Sequence, residues 1–150
     1  MYLKKFSVLF LLLLVISCQQ QTDTVPQVEY FAQEGSSDLP FSKAVRVDDM
    51  LYLSGELGTD PETGELPEGG IKAETEQALK NIKNTLEKYG SSLDNVIKVT
   101  VMLADINEWA DMNSVYITFF PNNKPARSAF GTSGLAMNAR LEMECIAVIK

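Results

Sequence analysis

The chain alternates between two hydrophobic periodicities from residue 44 onward. Apolar residues at steps of three and four predict two amphipathic helices, one over 71–89 and one that Asp105 or Asn107 caps and that runs to about Phe120. Short apolar and β-branched runs predict five strands: 44–47, 50–54, 96–103, 127–132 and 140–149. The order β-β-α-β-α-β-β is typical of an α+β domain, with a mixed sheet and both helices on one of its faces. The opposite face then needs a cover, for which another subunit is the natural candidate.

The N-terminal segment has a different pattern, which predicts a processing signal. Lys4 and Lys5 precede an apolar run over 6–16 that is too short to span a bilayer as a stable helix. Ser17 and Cys18 follow, an arrangement typical of bacterial lipoproteins, in which the cysteine is acylated. The alternative is a plain secretory signal with a coincidental cysteine.

These features divide the chain into a lipoprotein signal peptide (1–17), a lipidated flexible tether (18–38) and one folded domain (39–150). The tether is assigned because residues 19–35 are polar, glutamine-rich and aperiodic. We therefore expect a domain that its lipid anchor alone holds at a bacterial membrane, in the cell envelope outside the cytoplasm, either facing the periplasm or on an outer membrane.

Composition removes several classes of chemistry. The chain has no histidine and two cysteines, which excludes catalytic triads that need an imidazole and disfavours zinc sites. Its formal net charge is -7, and no cluster of Lys and Arg interleaves with aromatic residues, so nucleic acid is not an expected partner. Carboxylates, hydroxyl groups, arginine and backbone groups remain available for chemistry, and neither a metal nor a cofactor is expected.

The last predicted strand places two carboxylates on one face. Alternation puts Glu142 and Glu144 on the face opposite to Cys145, which is expected to be a free thiol in the core. One interpretation is an edge strand on which solvated glutamates discourage aggregation. The other is a carboxylate at a cleft between subunits.

Arg127 begins a predicted strand directly after the loop that Pro125 marks, so its position is rigid. A guanidinium held in this way can bind a carboxylate through two parallel hydrogen bonds, or it can form a surface ion pair with one of the many acidic residues. Ser54 and Gly55 end another strand with a hydroxyl group and an accessible backbone, which can serve a ligand or simply begin a turn.

Several short motifs together resemble one family. In order along the chain they are 39–45 (LPFSKAV), 53–55 (LSG), 60–64 (DPETG), 125–128 (PARS) and 142–144 (EME). With this order and spacing, residues 39–149 resemble the RidA (YjgF/UK114) family. The resemblance implies a chorismate-mutase-like fold and a homotrimer with three clefts between subunits. It also implies hydrolysis of reactive 2-imino or 2-enamino acids to 2-keto acids and ammonia.

The same resemblance assigns roles to individual residues. Arg127 matches the family's arginine for the substrate carboxylate, and Glu142 matches the glutamate that orients water. Substrate-binding positions are implied at Phe41, Ser54, Gly55, Asn113 and Arg127.

The chain also departs from the family pattern. Phe41 stands where deaminating members often have tyrosine, which removes one hydroxyl group from the cleft. Glu56 replaces a usual glutamine, and Ala129 stands where some members carry cysteine. The alternative function is therefore a non-catalytic trimeric module that binds small carboxylates, such as 2-keto acids, in the same cleft.

Overall fold

The computed structural model describes residues 25–33, 35 and 39–149. Within these residues seven strands form one sheet, and two α-helices pack on one of its faces. The strands are β1 (Val28–Phe31), β2 (Ala44–Val47), β3 (Met50–Leu53), β4 (Glu56–Leu57), β5 (Val96–Leu103), β6 (Ala126–Gly131) and β7 (Leu141–Val148). The helices are α1 (Gly70–Lys88) and α2 (Trp109–Phe119), with 3₁₀ turns at Leu93–Asn95, Ile106–Glu108 and Ala136–Asn138. The predicted α+β class, with both helices on a mixed sheet, is confirmed.

The strand order is β1-β2-β3-β7-β5-β6, and β4 pairs with β7 where β3 has ended. Every pairing is antiparallel except that of β5 with β6, which α2 joins as a crossover helix. Strand β7 therefore lies inside the sheet, between β3 and β5. The interpretation of its glutamates as residues of an edge strand is therefore wrong. The local sequence pattern does not show the order of the strands in the sheet.

Strand β1 lies within the segment that we expected to be a flexible tether. Its N-terminal end is held by Asp48 in the β2–β3 turn, whose Oδ1 accepts a hydrogen bond from the backbone N–H of Gln27 at 2.9 Å. The strand then pairs with β2, with Val28 opposite Val47. The ordered domain thus begins earlier than residue 39. The predicted signal peptide (1–17), Cys18 and residues 19–24 of the predicted tether lie outside the described residues.

Local signals place the ends of both helices. After α1, Gly90 adopts a φ of 83°, which glycine reaches without steric cost, and Ser91 donates its backbone N–H to Leu86 O at 2.8 Å. Before α2, the carboxylate of Asp105 accepts the backbone N–H of Asn107 at 2.9 Å, so Asp105 is the capping residue of the 3₁₀ turn that leads into the helix.

The core lies between the helices and one face of the sheet. Alternate residues of β7 are buried there, including Cys145, which is a free thiol with 2% of its surface exposed. Burial raises the pKa of this thiol to about 12, so it is neutral at physiological pH and is a core residue, as expected.

No layer formed by the described residues covers the opposite face of the sheet. Strand register places four partly exposed apolar side chains on it, which come from the strands at both ends of the sheet and from β3: Val28, Tyr30, Tyr52 and Phe130. The residues of β7 on this face are Glu142, Glu144, Ile146 and Val148. We call this surface the open face.

Candidate active site

Arg127 lies on β6 and faces the helices. It is opposite Val99 of β5, a core residue, so its side chain projects to the same side of the sheet and reaches α2. There its Nη1 donates a hydrogen bond to Oδ1 of Asn113 at 3.0 Å. The amide of Asn113 is therefore used to hold the arginine, and the two predicted site residues are brought together.

Two aromatic rings on α2 also contact this guanidinium. Its central carbon lies 4.4 Å from the ring centroid of Tyr116 and 5.5 Å from that of Trp109, both within the range of cation–π attraction. Trp109, Asn113 and Tyr116 are spaced i, i+4 and i+7, so they form one stripe along the helix. This stripe holds Arg127.

Tyr116 is buried among apolar groups, with 5% of its surface exposed. Its hydroxyl oxygen has no hydrogen-bond partner among the described residues. Burial raises the pKa of Tyr116 to about 12, although the positive charge of Arg127 acts in the opposite direction. The phenol is therefore neutral at physiological pH, and its ring is the part that meets the arginine.

No carboxylate pairs with Arg127 within the described part of the chain. The ion pairs found there join other residues, among them Lys43 with Glu56 and Arg140 with Glu108. Among these residues, the structure gives no support to the interpretation of Arg127 as a member of a surface ion pair. A half-buried arginine without an acidic partner, in a chain with more acidic than basic residues, is suited to bind an incoming anion.

Glu142 lies on β7 and projects from the open face. It is opposite Leu57 of β4 and Met102 of β5. Its carboxylate lies directly against the backbone of Gly55, where an added Cβ would be 1.8 Å from Oε1 of Glu142. Only glycine leaves room at position 55 for the glutamate side chain as it stands, so these two predicted site residues are also brought together.

The surroundings of Glu142 favour its protonated form. Burial, and then the negative charges of Glu144 and Glu56, raise the pKa of its carboxyl group above the usual value. Among the described residues no hydrogen bond or ion pair satisfies this carboxylate. These residues also contain no group of three or more His, Cys, Asp or Glu side chains that could hold a metal ion.

Ser54 and Phe41 lie on neighbouring loops beside Gly55. The hydroxyl of Ser54 donates to the backbone oxygen of Ser42 at 2.6 Å, which ties the end of β3 to the segment before β2. Phe41 precedes Ser42 and has 54% of its surface exposed. The segment that carries Phe41 is therefore held close to the end of β3 that leads into Gly55.

The predicted catalytic residues fall into two groups on opposite faces of the sheet. The first group is Arg127 with the α2 stripe, on the helix side. The second is Glu142 with Gly55, on the open face. Since Arg127 aligns with Val99 and Glu142 aligns with Met102, three residues along β5, the two side chains project in opposite directions. The structure does not bring them together within one chain.

Sequence reasoning assigned Trp109 and Tyr116 to a helix but not to the site. The signal that could have found them is their spacing around Asn113, which puts all three on one helix face next to the predicted arginine. The contact of Gly55 with Glu142 left no such signal, because it depends on how β4 pairs with β7.

Comparison with known proteins identifies the class of this domain. The family model described as Endoribonuclease L-PSP matches residues 32–149. The mouse 2-iminobutanoate/2-iminopropanoate deaminase is 44% identical over 109 residues, which are 73% of this chain and 81% of that protein. The chain belongs to the Endoribonuclease L-PSP family, which is the RidA/YjgF family that the sequence motifs resemble.

Solved structures support the same assignment. The crystal structure of yeast YEO7 has 39% identity and a TM-score of 0.77, and the match covers 83% of this chain and 100% of that chain. The structure of the YjgF gene product from E. coli has 31% identity and a TM-score of 0.74, over 81% of this chain and 99% of that chain. The match includes the sheet and both helices, so the expected fold is confirmed.

The expected location in the cell envelope is wrong. The chain's relatives in mouse, rat and human are cytosolic or mitochondrial proteins, and they offer no support for a membrane anchor. The expectation depended on charge, apolar length and one cysteine at the N-terminus, in residues that lie outside the described part of the chain. In the described ranges no helix is both long enough and apolar enough to span a bilayer.

Proposed function

We propose that this protein hydrolyses 2-imino acids, and the 2-enamino acids with which they interconvert, to 2-keto acids and ammonia. Curated relatives that are 43–46% identical over most of the chain are named 2-iminobutanoate/2-iminopropanoate deaminase. The observation in this chain that carries the proposal is the half-buried Arg127, which Asn113 holds and which no carboxylate among the described residues neutralises. An arginine of this kind binds the carboxylate that all these substrates share.

The reaction suits the side chains that are present. The C2 carbon of an imine is already electrophilic, so the reaction needs a positioned water more than a strong nucleophile. Arg127 binds the substrate carboxylate, and Glu142 accepts a hydrogen bond from the water and takes its proton as the oxygen bonds to C2. Glu142 returns that proton to the nitrogen, which gives a tetrahedral carbon bearing a hydroxyl and an amino group. The hydroxyl proton then passes to the nitrogen as the C2–N bond breaks, so ammonia leaves and C2 becomes the ketone of a 2-keto acid.

A raised carboxyl pKa helps Glu142 in this role. A carboxylate with an ordinary pKa is a weak base at neutral pH, whereas burial and the charges of Glu144 and Glu56 make Glu142 more basic. Its lack of a hydrogen-bond partner within the described residues leaves its oxygens available to water. In this proposal Phe41 and Ser54 line the substrate cleft, which the exposure of Phe41 and the hydrogen bond of Ser54 to Ser42 support.

The active unit in this proposal is a homotrimer. Members of the RidA/YjgF family are usually homotrimers. In this chain Arg127 and Glu142 project from opposite faces of the sheet, so a cleft that uses both takes Arg127 from one subunit and Glu142 from its neighbour. The apolar side chains of the open face, such as Tyr52 and Phe130, provide surface that such packing would cover.

The proposal is tested by generating 2-iminobutanoate enzymatically and following its loss with and without the protein. We expect an acceleration over spontaneous hydrolysis that Arg127→Ala and Glu142→Gln each abolish. Because Phe41 removes a hydroxyl group, a second candidate is a trimer that binds 2-keto acids without catalysis. Binding of 2-oxobutanoate by calorimetry, with no acceleration from folded wild-type protein, would favour that second function.

A further inference from the structure

The face of α2 that contacts Arg127 makes three contacts of two kinds with one guanidinium. Asn113 accepts a hydrogen bond from Nη1 at 3.0 Å, while the rings of Trp109 and Tyr116 lie 5.5 and 4.4 Å from the guanidinium carbon. A hydrogen bond fixes one N–H group in the guanidinium plane, and a ring attracts the flat face of the cation. Together these contacts restrict both the position and the tilt of the plane.

Tyr116 packs in the core and also contacts Arg127. Its hydroxyl oxygen is buried and unpartnered among the described residues, which lowers stability relative to a purely apolar side chain of similar size. Its ring, however, is the aromatic surface that lies nearer to the guanidinium. The contact of Tyr116 with the arginine that the geometry defines is therefore that of its ring.

We propose that Trp109 and Tyr116 are positioning residues that orient the guanidinium of Arg127 toward the substrate carboxylate. This inference rests on the proposed function, since it assigns the rings to the same carboxylate-binding arginine. Two parallel hydrogen bonds to a carboxylate need the guanidinium plane at a defined tilt. Loss of either ring lets the plane rotate and weakens carboxylate binding, while the water at Glu142 is unaffected.

The substitutions separate the ring from the rest of each side chain. Tyr116→Phe keeps the ring and removes the unpartnered hydroxyl, so substrate and product binding should stay within about 2-fold of wild type. Tyr116→Leu removes the ring and should raise the Kd for 2-oxobutanoate about 3- to 30-fold. Trp109→Phe and Trp109→Ala form the same pair at a partly exposed position, where a folding defect is not expected.

Two measurements on the full-length protein read the result. Trp109 is the only tryptophan, so titration of wild type and the Tyr116 variants with 2-oxobutanoate can be followed by its fluorescence, and calorimetry serves the Trp109 variants. In turnover of 2-iminobutanoate, the ring-removing variants should raise KM with kcat nearly unchanged, because the carboxylate contact is made in both the ground state and the transition state. Tyr116→Phe and Trp109→Phe, which keep a ring, should have a KM near that of wild type.

A cycle of denaturation midpoints tests the contact without any ligand. Arg127→Ala and Tyr116→Leu should be non-additive when combined, because each removes the same cation–π contact. Additive effects, or equal KM and Kd values in Tyr116→Leu and Tyr116→Phe, would overturn the positioning role even if the enzyme is active. Wild-type protein that neither binds 2-oxobutanoate nor accelerates imine hydrolysis would instead refute the proposed function, and this inference with it.

Discussion

The surroundings of Arg127 and those of Glu142 differ in how complete they are within one chain. Arg127 is held by three residues of α2, and its position is fixed before any ligand arrives. Glu142 lies against the bare backbone of Gly55, has no hydrogen-bond partner among the described residues, and carries a raised pKa. One region is preorganised to bind a charge, while the other keeps a carboxylate available for a proton.

The two faces of the sheet contribute differently to the proposed site. The helix side of the sheet supplies packing that can orient an arginine, because α2 crosses directly beside β6. On the open face the described residues form no such layer, so a carboxylate there keeps its oxygens accessible. Substitutions in the two regions should therefore have different effects on activity and stability.

The largest expected effect is at Arg127. Arg127→Ala should reduce kcat/KM for 2-iminobutanoate about 100-fold or more, since both a charge-assisted pair and substrate orientation are lost. Arg127→Lys is the matched control, because it keeps the charge without the planar pair of donors, and it should recover only part of the activity. Steady-state kinetics on variants with wild-type circular dichroism measures this, and near-normal turnover in Arg127→Ala would refute the assignment.

Gly55→Ala should be the next most damaging change. The added Cβ would overlap Oε1 of Glu142 at 1.8 Å, so the carboxylate must move, and we expect kcat to fall about 10- to 100-fold. Gly131→Ala is a matched control, since the nearest atom to its added Cβ would be the Cβ of Ile106 at 3.3 Å, and its kcat should be near wild type. Equal kcat values for the two variants would show that Gly55 does not act through Glu142.

Phe41→Tyr should increase activity by a smaller factor. The substitution adds a hydroxyl group to an exposed ring next to Ser42, and one further hydrogen bond to the reacting species should raise kcat about 2- to 10-fold. Phe41→Leu, which keeps an apolar side chain without the hydroxyl, should show no such gain. If the tyrosine variant is no faster than wild type, the missing hydroxyl is not what limits this site.

The smallest expected effect is on stability and depends on pH. The folded-state pKa of Glu142 is raised, so the native protein binds its proton more tightly than the unfolded chain, and stability falls as pH rises through the interval between the two pKa values. Glu142→Gln should therefore raise the urea midpoint at pH 7, and the gain should vanish at about pH 3.5, below the ordinary glutamate pKa. Glu62→Gln, on an exposed turn, should show neither behaviour.

Much of the fold was predictable because local patterns are strong there. The hairpin of β2 and β3, the helix over 71–89 and strand β5 were all predicted within a residue or two of the observed bounds. Strand β1 was missed because its polar surroundings resemble a linker, and what fixes it is the contact of Gln27 with Asp48, 21 residues away. Strand β4, with only two residues, is too short to give a periodic signal.

The sequence indicates candidate residues for the site but not their arrangement. The PARS motif and the last strand directed attention to Arg127 and Glu142 from sequence alone. That these residues lie on opposite faces depends on the pairing of β5 with both β6 and β7, which no local pattern encodes. The role of Gly55 as space for the glutamate is likewise a property of the pairing between β4 and β7.

The central claim is that one active site joins Arg127 of one subunit to Glu142 of the next, and mixed trimers test it most directly. Arg127→Ala and Glu142→Gln proteins, each inactive alone, would be unfolded together at equal amounts, refolded and assayed with 2-iminobutanoate. We expect recovery of about one quarter of wild-type activity. In a randomly mixed trimer a site is intact only where a Glu142→Gln subunit supplies Arg127 and an Arg127→Ala subunit supplies Glu142. No recovery, from trimers shown to contain both variants, would contradict it.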